Sequence, residues 1–562
     1  MARKTAFLRT IIPALVFLAT ALVYLSNGRP ILPSADTVPA HYLPVSILTK
    51  HSFNLDTFTF LGPSSLVEKN SHRYSYYPVG TPLLATPVYA AARWAGMDFS
   101  YENLYKLEKL SATIIVSLSA VFVFLALNEI APLFTSLLLT FIYAFGTCSW
   151  AVSSQALWQH GPTQLFNILA VYFLLLGKKN PKFIKYSGLS AGLNIFVRIT
   201  NILFLPVFAA YVLHKHRKQL PGFLVLAVLP LIPLFYYNLQ IFDNLMGGYS
   251  NVSGANAWNS PFFTTLFALL FSPSRGLFIF SPVLLFSFIG IYLVWKKKDN
   301  ILLRYVSLLP VISILLLSKY VSWHGGGCFG PRLLADTLPA MALLMVPVIP
   351  LVKKSWFKSA VLLILILYST GAQVLGAYFD DNSWNAYPNF KERLWDWKRP
   401  YLLFLLKGGK MSFNTSPADA GYYSVKNEID FTKPESSKYL GYGWSITEPG
   451  WGTWSIIKES TILAHFEGNT GELSAVVSCA SYEGQKMQVY LNGNILKEVV
   501  FTRGLGAVET FTIPLPSEYL NHGIETLKFK FSEAKKLSLE DTRNLSVAFK
   551  KIHFYSGDTI LN

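Results

Sequence analysis

Long apolar runs recur through the first two-thirds of the chain, separated by short polar segments. They lie near residues 10–26, 109–127, 132–149, 163–177, 185–198, 200–213, 221–239, 277–295, 301–319, 334–352 and 357–378. A helix needs roughly 20 apolar residues to cross a bilayer, so these runs predict about eleven membrane spans. Residues 79–96 are also apolar, but counting them would invert every later segment. They predict a helix lying in the outer interface, or a re-entrant one. From about residue 412 the period falls to two. Met487–Leu491, Glu498–Phe501, Glu509–Ile513, Thr526–Phe531 and Leu545–Phe549 alternate apolar with polar, and turn signals such as Asn492-Gly493 separate them. That is the pattern of a β-sandwich. The expected fold is a polytopic α-helical membrane bundle over 1–378, with a long outer loop at 27–108. An interfacial helix and linker follow at 379–411, rich in tryptophan and ending Lys407-Gly408-Gly409-Lys410. An all-β domain occupies 412–562.

Composition supports the membrane reading. Charged residues make up 14% of the chain and hydrophobic ones 52%, against about 25% charged in soluble proteins. The net charge of +17 raises a nucleic-acid reading, which the distribution rejects. Much of the Lys and Arg sits in clusters between apolar runs, at 178–182, 214–218, 296–298 and 353–354. Such clusters stay cytoplasmic. Alternating the spans leaves all four on that side. It puts 27–108, 150–162, 240–276, 320–333 and everything after 378 outside. The start carries Arg3, Lys4 and Arg9 but no A-x-A cleavage pattern, so an uncleaved first helix is expected. Cys148, Cys328 and Cys479 form no metal pattern. Cys148 and Cys328 share the outer side; two free thiols are expected, although a disulfide is allowed.

The chemistry-bearing residues gather in the outer segments. The first holds Asp36, His41, Asp56, Glu68, His72, Arg73 and the aromatic turn Tyr74–Gly80. Trp158 and His160, then Arg275, then Trp323, His324 and Arg332 follow in later ones. Polar groups at span ends face protein or water, because facing lipid is costly. One outward cavity would gather a carboxylate, imidazoles, guanidinium groups and aromatic rings. That set suits transfer of a sugar from a lipid phosphate: a carboxylate takes the acceptor's proton, and cations hold the phosphate. Asp36 is the catalytic candidate. His160, Arg198, Arg275 and Arg332 are the phosphate candidates. His41, Tyr76, Tyr77, Trp158, Trp323 and His324 are the pocket candidates. The plainer readings are an N-cap for Asp36 and a snorkelling side chain for Arg198. No Walker or dinucleotide fingerprint occurs.

Ala35-Asp36-Thr37-Val38-Pro39 ahead of Tyr42-Leu43-Pro44, the turn Tyr77–Leu84, and Trp323…Gly330-Pro331-Arg332 with Leu338-Pro339 resemble bacterial GT-C membrane glycosyltransferases. The resemblance covers roughly residues 1–378. It implies a polyprenyl-phosphate sugar donor, an inverting transfer on the outer face of the inner membrane, and Asp36 as the base. The acceptor would be a cell-envelope glycan, lipid or protein. Asp36 has no adjacent acidic partner; Asp56 or Glu68 could supply a second carboxylate. No cofactor is implied with certainty, and a divalent metal stays open. Leu440–Glu448, Asn492-Gly493 and Asp541–Phe549 resemble a jelly-roll domain of surface-polysaccharide enzymes, with Trp444, Trp451 and Trp454 as sugar-stacking candidates. The alternatives are a ligase or polymerase using a lipid-linked glycan, and a transporter. Transporters carry inverted repeats and mid-membrane charges, whereas these polar residues sit at outer span ends.

Overall fold

The structure, a computed structural model, describes residues 2–27, 36–58, 61, 65–252, 255–297, 300–380, 383–386, 393–407, 424–425, 427–441, 443–448, 451–456, 458–466, 472–520, 524–535, 545–556 and 559–560. The linker glycines at 408–409, Ala35 and the 541–544 stretch therefore fall outside the described residues. The chain divides into two compact units. One is Met1–Thr59, Pro63–Met97 and Tyr105–Asp380; the other is Phe60–Gly62, Asp98–Leu104 and Asp381–Asn562.

The first unit is helical. In chain order its early elements are α1 (Ala2–Leu25), α2 (Val38–Lys50), a hairpin of β1 (Leu66–Lys69) and β2 (His72–Ser75), α3 (Gly80–Trp94), α4 (Tyr101–Asn128), α5 (Leu133–Phe145), α6 (His160–Gly177), α7 (Ile184–Val197), α8 (Phe204–Lys215), α9 (Leu220–Val228) and α10 (Leu231–Phe242). Later come α11 (Phe262–Phe271), α12 (Leu285–Lys297), α13 (Ile301–Leu317), α14 (Leu338–Leu344) and α15 (Trp356–Phe379). Among the described residues, three helices are long and apolar enough to cross a membrane: Asn103–Asn128, Arg217–Phe242 and Trp356–Phe379. Five shorter apolar helices accompany them.

Proline accounts for part of the shortfall against about eleven spans. The run 277–295 is broken at Pro282 into three pieces, and 334–352 is broken among Pro339, Pro347 and Pro350. Proline lacks the amide proton that a continuous helix needs. The face of α15 turned outward is itself apolar. Leu363, Ile364 and Leu367 are exposed while Ser369, Gln373 and Gly376 are buried. A helix with its polar groups inside and its leucines outside suits hydrocarbon.

Close helix packing follows from small residues. Gly188 and Gly192, one turn apart on α7, lie against α9. A Cβ would come within 2.0 Å of the Phe223 carbonyl oxygen at the first and 2.1 Å of that of Ala227 at the second. This is the small-xxx-small contact of membrane helices. The contacts also join segments that the alternation assigns to one side. Lys179 pairs with Glu129, His214 meets the Tyr305 hydroxyl at 3.1 Å, and Lys353 lies over the Phe134 ring at 4.5 Å.

The 79–96 run contains α3 (Gly80–Trp94), packed on α2 and α7. Within the loop read as 27–108, helix α2 and the β1–β2 hairpin were not legible. The hairpin turns on Asn70 and Ser71, both with positive φ.

The second unit is built on two antiparallel sheets. Its strands are β3 (Glu428–Asp430), β4 (Trp444–Glu448), β5 (Gly452–Ser455), β6 (Glu459–His465), β7 (Leu473–Ala480), β8 (Lys486–Leu491), β9 (Asn494–Val500), β10 (Val508–Leu515), β11 (Ile524–Phe531), β12 (Ala548–Ser556) and β13 (Thr559–Ile560). One sheet runs β10-β7-β12-β5-β4, with β3 and β13 on β12; the other runs β6-β11-β8-β9. Strand β7 buries alternate positions, as one covered face requires. Val477, Ile513, Phe549 and Ile552 of one sheet share a core with Ile462, Val489, Leu527 and Phe529 of the other. Tyr401–Leu406, read as interfacial, is a short helix whose Tyr401 is fully buried and stacks on Trp384.

Candidate functional site

Asp36 sits in the turn just ahead of α2. Pro39, in the first helical turn, fixes the entry, and the His41 amide donates to the Thr37 carbonyl. Thr37, not Asp36, is the N-cap residue. The Asp36 carboxylate instead accepts from Arg332 Nη1 at 2.7 Å and from the Tyr77 hydroxyl.

Arg332 opens the 3-10 segment Arg332–Thr337. Its Nη2 donates to the Gly325 carbonyl at 2.6 Å, and its guanidinium lies over the Trp158 ring at 4.3 Å, a cation–π contact. Tyr77 reaches this spot because the turn before α3 comes hard against the end of α7. A Cβ on Gly80 would lie 2.8 Å from the Phe196 carbonyl oxygen.

A second charged cluster lies beside the first. His160, the first residue of α6, puts Nδ1 2.6 Å from Asp336 Oδ1. Arg198, extended between α7 and the 3-10 turn Ile199–Leu203, donates from Nη1 to Asp336 Oδ2 at 2.8 Å. Amides pack behind the cluster. Asn167 donates to the Asp336 carbonyl at 2.9 Å, Asn194 to Asn167 at 2.7 Å, and Asn201 to Asn194 at 3.2 Å. Buried polar groups in a membrane bundle are satisfied this way or not at all.

The two clusters face one cavity of about 220 Å³. Asp36, His160, Arg198, Arg332 and Asp336 line it, so two carboxylates meet two guanidinium groups. Tyr76, Tyr77, Trp158, Tyr249, Trp258 and Tyr320 supply aromatic surface with polar atoms, and Leu203, Phe204, Leu316 and Leu317 a purely hydrocarbon one. Tyr249 is anchored by its hydroxyl, which donates to Gln159 Oε1 at 3.0 Å.

The electrostatics follow from these contacts. Burial pushes the Asp36 carboxyl up, but the Arg332 guanidinium overrides it and holds the group below the usual carboxylate range. Burial raises the Tyr77 hydroxyl, and the Asp36 charge raises it further. Tyr249 is pushed up to about 12, chiefly by burial.

Of the residues expected from sequence, Asp36, His160, Arg198, Arg332, Tyr76, Tyr77 and Trp158 line this cavity. Arg275, His41, Trp323 and His324 do not. Arg275 is buried and turns its guanidinium to backbone, donating to the carbonyls of His324 at 3.0 Å, Ser274 at 2.8 Å and Gly326 at 3.2 Å. It braces the glycine loop that Arg332 grips. His41 lies buried on α2, with Nδ1 2.7 Å from Glu108. His324 Nδ1 accepts from the Gly326 amide at 2.9 Å, and Trp323 is half-buried with its ring edge toward His324.

Asp336 was missed because it falls within an apolar run read as a span. Its signal was a carboxylate inside that run, one helical turn beyond Arg332. In the second unit, Trp444 packs on Phe549 and Trp454 is buried, while Trp451 is 37% exposed. Cys148, Cys328 and Cys479 form no disulfide among the described residues. Asp56 is engaged by His72 at 2.6 Å and by the Arg73 amide at 2.7 Å. Among the described residues, no three His, Cys, Asp or Glu side chains gather as a metal site.

No protein-family model and no curated protein sequence matches the chain. Among solved structures it is similar to the Archaeoglobus fulgidus oligosaccharyltransferase tethered to an acceptor peptide with the NVT sequon. That match has 13% identity and a TM-score of 0.44, over 66% of this chain and 56% of that one. The apo form of the same enzyme gives 12% identity and a TM-score of 0.45, over 70% and 60%. ArnT from Cupriavidus metallidurans bound to undecaprenyl phosphate gives 11% and 0.40, over 73% and 76%. The chain thus spans little more than half of the archaeal enzyme. At this distance nothing of their chemistry transfers by likeness.

Proposed function

We propose that the protein is a GT-C-type membrane glycosyltransferase. It would move one sugar from a polyprenyl-phosphate donor to an envelope glycan, lipid or protein acceptor on the extracytoplasmic face. One observation carries this. A single cavity is lined by two carboxylates, two guanidinium groups, an imidazole, an aromatic wall and a hydrocarbon end. The hydrocarbon side at Leu203, Phe204, Leu316 and Leu317 suits the first isoprene units. Arg198 and Arg332 then hold the phosphate, and the aromatic rings stack on the sugar. The space of about 220 Å³ is below the roughly 300–1,000 Å³ of drug-sized pockets. It favours one sugar over a lipid-linked chain of sugars.

In the reaction the acceptor oxygen attacks the anomeric carbon from the face opposite the phosphate. The new C–O bond forms, the bond to the phosphate oxygen breaks, and Asp36 takes the hydroxyl proton. The leaving phosphate stays with the guanidinium groups. A phosphate at Arg332 competes with Asp36 for that cation, so donor binding makes the carboxylate a better base.

The test is transfer by purified protein from a panel of labelled polyprenyl-phosphate sugars. Asp36→Asn strands the Arg332 guanidinium and so should fold with reduced stability; assayed well below its thermal midpoint, it should lose activity by about 10²–10⁴-fold, the range for a general base. Full activity in that variant rejects the assignment.

A further inference from the structure

Glu108 lies outside the cavity, on α4, and is 6% exposed. Its two oxygens go to two different outer segments. Oε2 is 2.7 Å from His41 Nδ1 on α2. Oε1 accepts the Leu157 backbone N–H at 3.0 Å. The first segment begins with Asp36, one helical turn ahead of His41. The second carries Trp158, whose ring supports Arg332, and then His160. The Leu157 amide sits in an irregular turn with no helix or sheet to take it, and a side-chain oxygen fills that place. The start of α6, just after the turn, also rests on α4 at Gly161, where a Cβ would stand 3.1 Å from Val116.

We infer that Glu108 is a positioning residue, bonding the Asp36 segment and the Trp158–His160 segment with one carboxylate and so fixing the base against the phosphate-holding groups. This rests on the glycosyltransferase reading above. The residue type fits the task. A carboxylate accepts at both oxygens, whereas an amide accepts at one and donates at the other. Glutamine could keep the Leu157 bond only by forcing His41 to accept at Nδ1. The imidazole proton would then sit on Nε2, which is buried with no hydrogen-bond partner. Such a donor left unpaired is costly. Glutamine therefore loosens one segment or the other while nearly preserving shape.

The experiment compares the full chain with Glu108→Gln, in the parent and in a Trp158→Ala background. Each protein is first checked by thermal unfolding in detergent and assayed well below its midpoint. Misplacing a reacting group by about 1 Å costs about 10²-fold. Glu108→Gln should lower kcat by about that factor while the donor KM stays within about threefold, since Arg198 remains paired with Asp336. In the Trp158→Ala background, where one of the two segments has already lost its contact with Arg332, the same change should cost less than about tenfold. A merely structural role predicts the same factor in both backgrounds, and that result overturns the inference. So does an unchanged kcat in the folded single variant. An active wild type with an active Glu108→Gln removes the positioning role alone. A wild type inert toward every polyprenyl-phosphate sugar removes the glycosyltransferase reading and this role with it.

Discussion

Asp336 offers the sharpest energetic test. Its side chain is 7% exposed, that of Arg198 11% and that of His160 5%. Asp336→Asn leaves the Arg198 cation buried without a counter-ion, and Arg198 Nε is already without a hydrogen-bond partner. Removing one member of a buried pair costs about 3–5 kcal/mol. Asparagine keeps one acceptor oxygen, so the low end is expected, about 3 kcal/mol. At 1.4 kcal/mol per decade that is about 10²-fold in the folding equilibrium. It is a large part of the roughly 5–15 kcal/mol that keeps domains folded. Thermal unfolding in detergent micelles, followed by loss of the monodisperse peak, reads the effect. A second arm separates charge from packing. Asp336→Leu alone should be the least stable form, and Asp336→Leu with Arg198→Met should recover most of the loss, because the stranded cation is gone. An Asp336→Asn protein melting with the wild type refutes the reasoning. A double variant no more stable than the single one does so too.

Two further outcomes follow from the site. The Asp36 carboxyl is held below the usual range by Arg332, so the pair's contribution is complete above the unfolded-state value of about 3.9. It is lost as pH falls through the lower folded value. Thermal midpoints taken from pH 7 to pH 3 should fall more steeply at the acid end in the parent than in Asp36→Asn, in which other paired carboxylates such as Asp56 and Asp430 still titrate; parallel curves count against the pair. Arg275→Lys cannot span three carbonyls with one ammonium. It should cost about 2 kcal/mol of stability, the price of stranding a buried acceptor. Unchanged stability with a tenfold rise in donor KM would place Arg275 on the phosphate instead.

Much was legible from local pattern, because the patterns are consequences of the solvent. Apolar runs mark helices in a bilayer. Each run read as a span is at least partly helical, with breaks in 277–295 and 334–352, and the alternating segments Met487–Leu491, Glu509–Ile513 and Thr526–Phe531 are strands, whereas Leu545–Phe549 becomes strand only at Ala548. The gathering of Asp36, Trp158, His160, Arg198 and Arg332 was also foreshadowed, since a polar group at a span end has few places to go.

Distance in the chain hid the rest. Asp36 and Arg332 are 296 positions apart, and Asp336 and His160 are 176 apart. No period or motif encodes which cation meets which carboxylate. Arg275 and Arg332 look alike in sequence, as arginines beside glycine turns. Packing alone turns one guanidinium onto backbone carbonyls and the other toward Asp36. Local sequence thus sets helices and strands, which depend on neighbours and solvent. Which buried charges pair is decided only when distant helices close on one another, because burial makes an unpaired charge too costly to keep.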